Sequence, residues 1–210
     1  MADNIPIDPY ASTFSAVNLG ANFQRPPDRV GFVNNGTAET RGVELTLEKA
    51  FVDTWYGLVT ASLFESTYTA GDGRQYNSAY NNGYVINALA GVELPVGKAR
   101  NAQVFGDVRV ALAGGFRYTP TDLAASQAAG YAVEVPQSAF SEQAPGYVRI
   151  DLKLGIRQNY RRWSQELSIQ LQNISDQQNV FTRQYNPRTG QITDRYQLGF
   201  FPVPQYKIYF

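Results

Sequence analysis

The chain of 210 residues contains no cysteine and no histidine. Without cysteine there is no disulfide framework and no thiolate metal site. Without histidine the commonest general base and the commonest transition-metal ligand are missing. Ser-His-Asp and Cys-His arrangements and ordinary zinc hydrolysis are therefore excluded, and the sequence reads as that of a non-enzyme. An excess of either charge is missing too. The 18 Lys and Arg residues match 18 Asp and Glu residues, which speaks against a nucleic-acid partner. No apolar run approaches the ~20 residues of a membrane helix. The opening "MADNIPIDPY" has neither the basic start nor the apolar stretch of a signal peptide, so an exported chain of this sequence is expected to be a fragment.

What is abundant is tyrosine (14), phenylalanine (12) and glycine (18). This composition fits an extracellular or outer-membrane β-protein. The stretch "YVRIDLKLGIR" sets Val148, Ile150, Leu152, Leu154 and Ile156 on one parity. Arg149, Asp151, Lys153 and Arg157 take the other, with Gly155 among them. Period-two alternation of this kind marks a strand with one apolar and one charged face. It recurs in "ETRGVELTLEK", "YVINALAGVEL", "AQVFGDVRVALAGGFRY" and "WSQELSIQLQNI". "YGLVTASLFESTY" and "FFPVPQYKIYF" read as further strands. Residues 1 to 37 are rich in Pro, Asn, Gly and Asp and read as a loop. The segment 119–146 reads as a long, small and polar loop, and no amphipathic helix is expected anywhere.

Alternation alone does not say whether the aliphatic face meets a protein core or lipid. A soluble β-barrel binding protein would bury it, and Ile150→Arg or Leu152→Arg would then abolish folding in water. Two features favour lipid. Long loops alternate with short turns ("AFVDTW", "PVGKARN", "QNYRR"), the rhythm of a membrane barrel. The chain also finishes on "PQYKIYF", with Tyr206, Ile208 and Phe210 on one parity. The expected fold is all-β: an antiparallel transmembrane β-barrel segment of about 7–8 long strands, with short periplasmic turns and long extracellular loops. It is a partial barrel over residues 38–210, preceded by an extracellular loop or N-terminal segment at 1–37.

Six blocks carry a family likeness: "NNGTAETRGVELTLEK", "LVTASLFEST", "AGGFRYTPTDLAASQAAG", "SEQAPGYVRIDLKLGIR", "LQNISDQQNVF" and "YQLGFFPVPQYKIYF". In order and spacing they resemble the C-terminal barrel region of TonB-dependent outer-membrane receptors, of the Bacteroidota type that often carries a carboxypeptidase-like regulatory domain. The resemblance implies the outer membrane of a Gram-negative bacterium and uptake of an iron chelate, cobalamin, glycan or peptide. It implies as partners outer-membrane lipid, the barrel assembly machinery and the rest of the receptor, meaning plug and upstream strands. TonB would be reached only through an N-terminal part that this chain lacks. Alone, such a piece would not transport. A self-contained small outer-membrane barrel acting as anchor or adhesin stays open as an alternative, as does the soluble binding protein.

Within this reading Asp107, Arg109, Arg149, Asp151 and Lys153 are candidates for a wet lumen lining, or simply pair across strands. Arg183, Tyr185, Arg188, Arg195 and Tyr196 are candidates for an extracellular substrate surface, or ordinary loop residues. Tyr206, Ile208 and Phe210 would be the assembly signal. Trp55, Tyr56, Tyr160 and Trp163 sit beside short turns, as in an interfacial girdle. No metal or phosphate motif has credible spacing, and no cofactor is expected.

Overall fold

Each alternating stretch contains a strand, although the one expected over 102–118 breaks at 114–116. The computed structural model describes residues 1–10, 12–21, 31–97 and 101–210. Parts of the expected N-terminal loop (22–30) and of the turn at 95–101 (98–100) lie outside the described residues. Among the described residues thirteen strands and one α-helix follow in chain order, besides two short 3-10 turns: β1 (Ala2–Ile7), β2 (Val33–Val52), β3 (Trp55–Thr69), β4 (Gln75–Asn77), β5 (Tyr84–Val96), β6 (Ala102–Ala113), β7 (Arg117–Tyr118), α1 (Leu123–Ala129), β8 (Glu142–Gln143), β9 (Tyr147–Asn159), β10 (Ser164–Gln172), β11 (Val180–Asn186), β12 (Gln191–Tyr196) and β13 (Phe201–Tyr209).

One antiparallel sheet runs β1-β2-β3-β5-β6-β9-β10-β13, with β4 paired to the far end of β3. Two small ribbons, β7-β8 and β11-β12, stand apart from it. The β2-β3 connection is a tight turn in which Asp53 takes a left-handed conformation (φ 64°), a conformation Asp tolerates better than most residues. Beyond β10, the chain leaves the sheet for the β11-β12 hairpin and returns as β13.

Several elements depart from the sequence reading: the strand expected over 102–118 breaks after Ala113, and β7 pairs with β8, which lies inside the expected loop at 119–146. Ala2–Ile7, expected as loop, forms a strand against Val33–Ala38 with register shifts. Inside the expected loop at 119–146 lies α1, capped by the Asp122 carboxylate, which accepts the Ala125 amide at 2.9 Å. It stops at Gly130, in the left-handed conformation (φ 77°). This start and stop are ordinary cap chemistry. At seven residues the helix is too short to show a repeating apolar face.

The expectation of a transmembrane β-barrel segment, a partial barrel over residues 38–210, is corrected by the topology. The sheet is open, ending at β1 and β2 on one side and at β13 on the other. Period-two patterning specifies strands and faces. Closure depends in addition on strand number, tilt and stagger, which no strand encodes alone. An open edge is a row of unpaired N–H and C=O groups, which hydrocarbon does not tolerate. The expected outer-membrane location and lipid partner fall with the barrel, and the closed small-barrel alternative falls with them. No helix among the described residues is long and apolar enough to cross a membrane.

The two faces are unequal. The aliphatic side is the open one: Leu45, Leu63 and Leu167 are 54%, 57% and 58% exposed. On the charged side Asp151 and Glu166 are buried, at 7% and 1%. The apolar core is small and sits at the end of the sheet far from the Asp53–Thr54 turn. There Tyr68, Tyr76 and Phe140 pack with Ala21, Ala70, Ala79 and Ala139. The Tyr68 ring meets Phe140 edge-on at 6.3 Å, and its hydroxyl donates to the Thr13 carbonyl at 2.9 Å.

This inversion gives a direct test on adjacent residues. Leu167→Arg, on the open face, is expected to change unfolding free energy by no more than about 0.5 kcal/mol. Glu166→Gln, one residue away, is expected to cost about 2–3 kcal/mol, because it strands two cations. Urea denaturation of the two variants measures both. A larger loss for Leu167→Arg would mean that the aliphatic face is covered.

Candidate functional site

The charged face organises around Glu166. It accepts from Arg157 Nη2 at 2.8 Å, Lys153 Nζ at 3.3 Å and the Tyr209 hydroxyl at 3.3 Å. Register explains the meeting: Arg157 on β9 and Lys207 on β13 lie directly opposite Glu166 on β10. The Phe105 ring lies under both cations, 4.9 Å from Lys153 Nζ and 5.8 Å from the Arg157 guanidinium. It fits there because its cross-strand partner is Gly155, where any Cβ would collide with that ring. A strand glycine covered by a neighbouring aromatic is a recurrent solution.

A second cluster joins Arg149 to Asp151 at 2.8 Å. Asp151 also accepts the Asn173 backbone amide at 2.9 Å, and Arg149 Nη2 donates to Gln172 Oε1 at 3.1 Å. Asp107 accepts a hydrogen bond from the Tyr56 hydroxyl. Cross-strand pairing sets Asp107 against Lys153 and Arg109 against Asp151, with opposite charges facing each other. Asp107, Arg109, Asp151 and Lys153 thus meet in one depression of about 400 Å³, while Arg149 lies beside Arg109 and Asp151 in a smaller one.

Burial pushes the Glu166 carboxyl up, but the hydrogen bonds and charges of Arg157 and Lys153 outweigh it and hold it below the usual range. Asp151 behaves likewise. Burial raises it, while Arg149, the Asn173 amide and the charge of Arg109 bring it down. Tyr56 moves the other way, up to about 12, through burial first and then the Asp107 carboxylate. These groups satisfy one another within the chain. That corrects the expectation of a wall waiting for a plug, upstream strands or TonB.

A different place in the fold has the geometry of a binding site. Between the segment 116–142 and the β11-β12 hairpin lies a cleft of about 750 Å³. One wall carries Phe116, Tyr118, Glu134 and Phe140, and the other Thr182, Arg183 and Tyr185. Two bonds tie the walls. Gln127 Nε2 donates to the Gly190 carbonyl at 2.8 Å, and Arg183 Nη1 donates to the Tyr118 hydroxyl at 3.0 Å. The Arg183 guanidinium lies 5.4 Å from the Tyr118 ring centre and 3.6 Å from the Asp194 carboxylate.

Of the loop residues singled out from sequence, the cleft brings Arg183 and Tyr185 together. Arg188 sits at the hairpin tip, its amide bonded to the Asn186 side chain at 3.0 Å. Arg195 and Tyr196 are exposed and do not line the cleft. Tyr118, Gln127 and Glu134 were missed. The Asp122 cap and Gly130 stop were the local signals that 119–146 carried structure. Tyr206 and Ile208 lie along the outer strand and Phe210 just past its end, with the Tyr206 hydroxyl donating to Gln165 Oε1 at 3.0 Å. This placement is a ladder position and gives no support to the assembly machinery as a partner.

No family model matches this chain, and neither a curated protein nor a solved structure matches it. The resemblance to TonB-dependent receptors is therefore corrected, and with it the reading as a piece of an uptake receptor. The six blocks are strands with their adjoining loops, one of them carrying α1, a pattern any antiparallel sheet with long connections produces.

Acid should act on the carboxylates described above. Both are lowered on folding, so their contribution is present above the ordinary carboxylate range, about 4, and is lost as pH falls through the folded values. Stability measured by denaturant at pH 7 and pH 3 should drop, and Glu166→Gln should remove part of that drop. Tyr56 has the opposite sign: its contribution is full below pH 10 and is lost as pH rises toward about 12. Tyrosinate absorbance of Tyr56→Phe against the parent checks this.

Proposed function

We propose that this chain is a binding protein, and not an enzyme, whose ligand site is the cleft between segment 116–142 and the β11-β12 hairpin. The observation that carries this reading is the convergence of Tyr118, Arg183 and Tyr185 on one concave space of about 750 Å³. That size lies within the range of small-molecule sites. The walls combine aromatic rings with Thr119, Thr121, Thr182 and Gln184. Apolar faces ringed by a few hydrogen-bonding groups orient a ligand without transforming it. The absence of histidine and cysteine from the sequence removes the usual nucleophile–base pairs.

Of the functions drawn from sequence, the binding protein survives in altered form. The scaffold is an open sheet and not a barrel, and its aliphatic side is exposed instead of turned inward.

The test is ligand mapping by amide chemical shifts on the full chain, using a panel of amino acids, small amines, sugars and short peptides. A hit should move residues 117–121, 134 and 182–185 together. Arg183→Ala, which releases Tyr118 and unpairs Asp194, should weaken that hit about tenfold. Binding confined to the charged depression at Asp107 and Lys153, or no shift from any panel member, would remove the cleft as the site.

A further inference from the structure

The lining charge of the cleft narrows the ligand. Arg183 is its only basic side chain among the described residues, and that cation is already engaged by Asp194 and the Tyr118 ring. Glu134 and Glu142 also line the cleft, and neither has an ion-pair partner among the described residues. Glu134 is held in place by backbone pairing. It bridges to Thr121, while the Val135 amide donates to Pro120 at 2.9 Å and the Asp122 amide to Val133 at 2.8 Å. Its backbone position is therefore set on the wall that also presents Phe116 and Tyr118, opposite the wall that carries Tyr185.

From this arrangement we infer that the cleft takes an organic cation, a substituted ammonium group, with Glu134 as counter-ion and the rings of Phe116, Tyr118 and Tyr185 as its walls. Aromatic faces attract a cation through the ring quadrupole, and they do so best for weakly hydrated alkylammonium groups. The carboxylate supplies the net charge that rings lack. Glu134 is exposed at the cleft mouth, so a ligand can reach it. The surrounding walls still push its carboxyl above the usual range by desolvation. An anionic ligand would meet two carboxylates without an ion-pair partner among the described residues, and one occupied guanidinium.

This inference rests on the cleft being the binding site, and the experiment separates the two. The full chain is titrated with choline and with its neutral isostere 3,3-dimethylbutan-1-ol, following aromatic side-chain resonances. Choline should saturate and shift Tyr118 and Tyr185, with the neutral alcohol binding at least tenfold more weakly. Glu134→Gln should lose choline binding at least tenfold and leave the alcohol unchanged. Tyr185→Leu, which keeps apolar volume but removes the ring, should also weaken choline. Equal affinity for the two probes would overturn the cation assignment while leaving the cleft as a site. Choline shifts elsewhere, or none, would overturn the assignment as well.

Discussion

Backbone pairing between long antiparallel strands is the constraint on which this molecule depends. Hydrophobic sealing is modest: half of the buried apolar residues described are alanines, and the aromatic cluster around Tyr68 occupies one end of the sheet. The continuous ladders do most of the ordering, with β2 and β3 paired from Thr37↔Thr69 to Val52↔Trp55. Such ladders leave few buried backbone groups unpaired. They also fix the cross-strand neighbours of every side chain, so register decides which charges can meet.

That register places the acids among bases. Glu166 faces Arg157 on one side and Lys207 on the other, and Asp107 and Arg109 face Lys153 and Asp151. A carboxylate as buried as Glu166 would be costly alone. With Arg157, Lys153 and the Tyr209 hydroxyl around it, it becomes a fixed point for three strands. The same face therefore works as a structural wall, which is why its charges, prominent in the sequence, offer a ligand less than the cleft does.

The cleft arises where the ladders stop. Segment 116–142 and the β11-β12 hairpin both leave the main sheet, and they are joined by side chains far apart in sequence: Gln127 to Gly190, and Arg183 to Tyr118. Small bridged excursions on a rigid sheet are a common way to position binding groups, since the scaffold carries the stability and the loops carry the chemistry.

The sequence by itself determined where the long strands of the main sheet run and which of their side chains share a face. Val148 to Ile156 and Leu167 to Leu171 carry that information in their parity, because a strand repeats every two residues. Short turns were legible in 50–55 and 158–162, and beside the second the Tyr160 and Trp163 rings stack at 4.3 Å. Only the tertiary structure decided that the sheet stays open, that Ala2–Ile7 joins it, and that Glu134 and Tyr118 come to face Tyr185. The physical reason is range. Alternation is a local property, identical in a barrel, a sandwich or an open sheet, whereas closure and the meeting of residues sixty positions apart depend on how whole strands stack and twist.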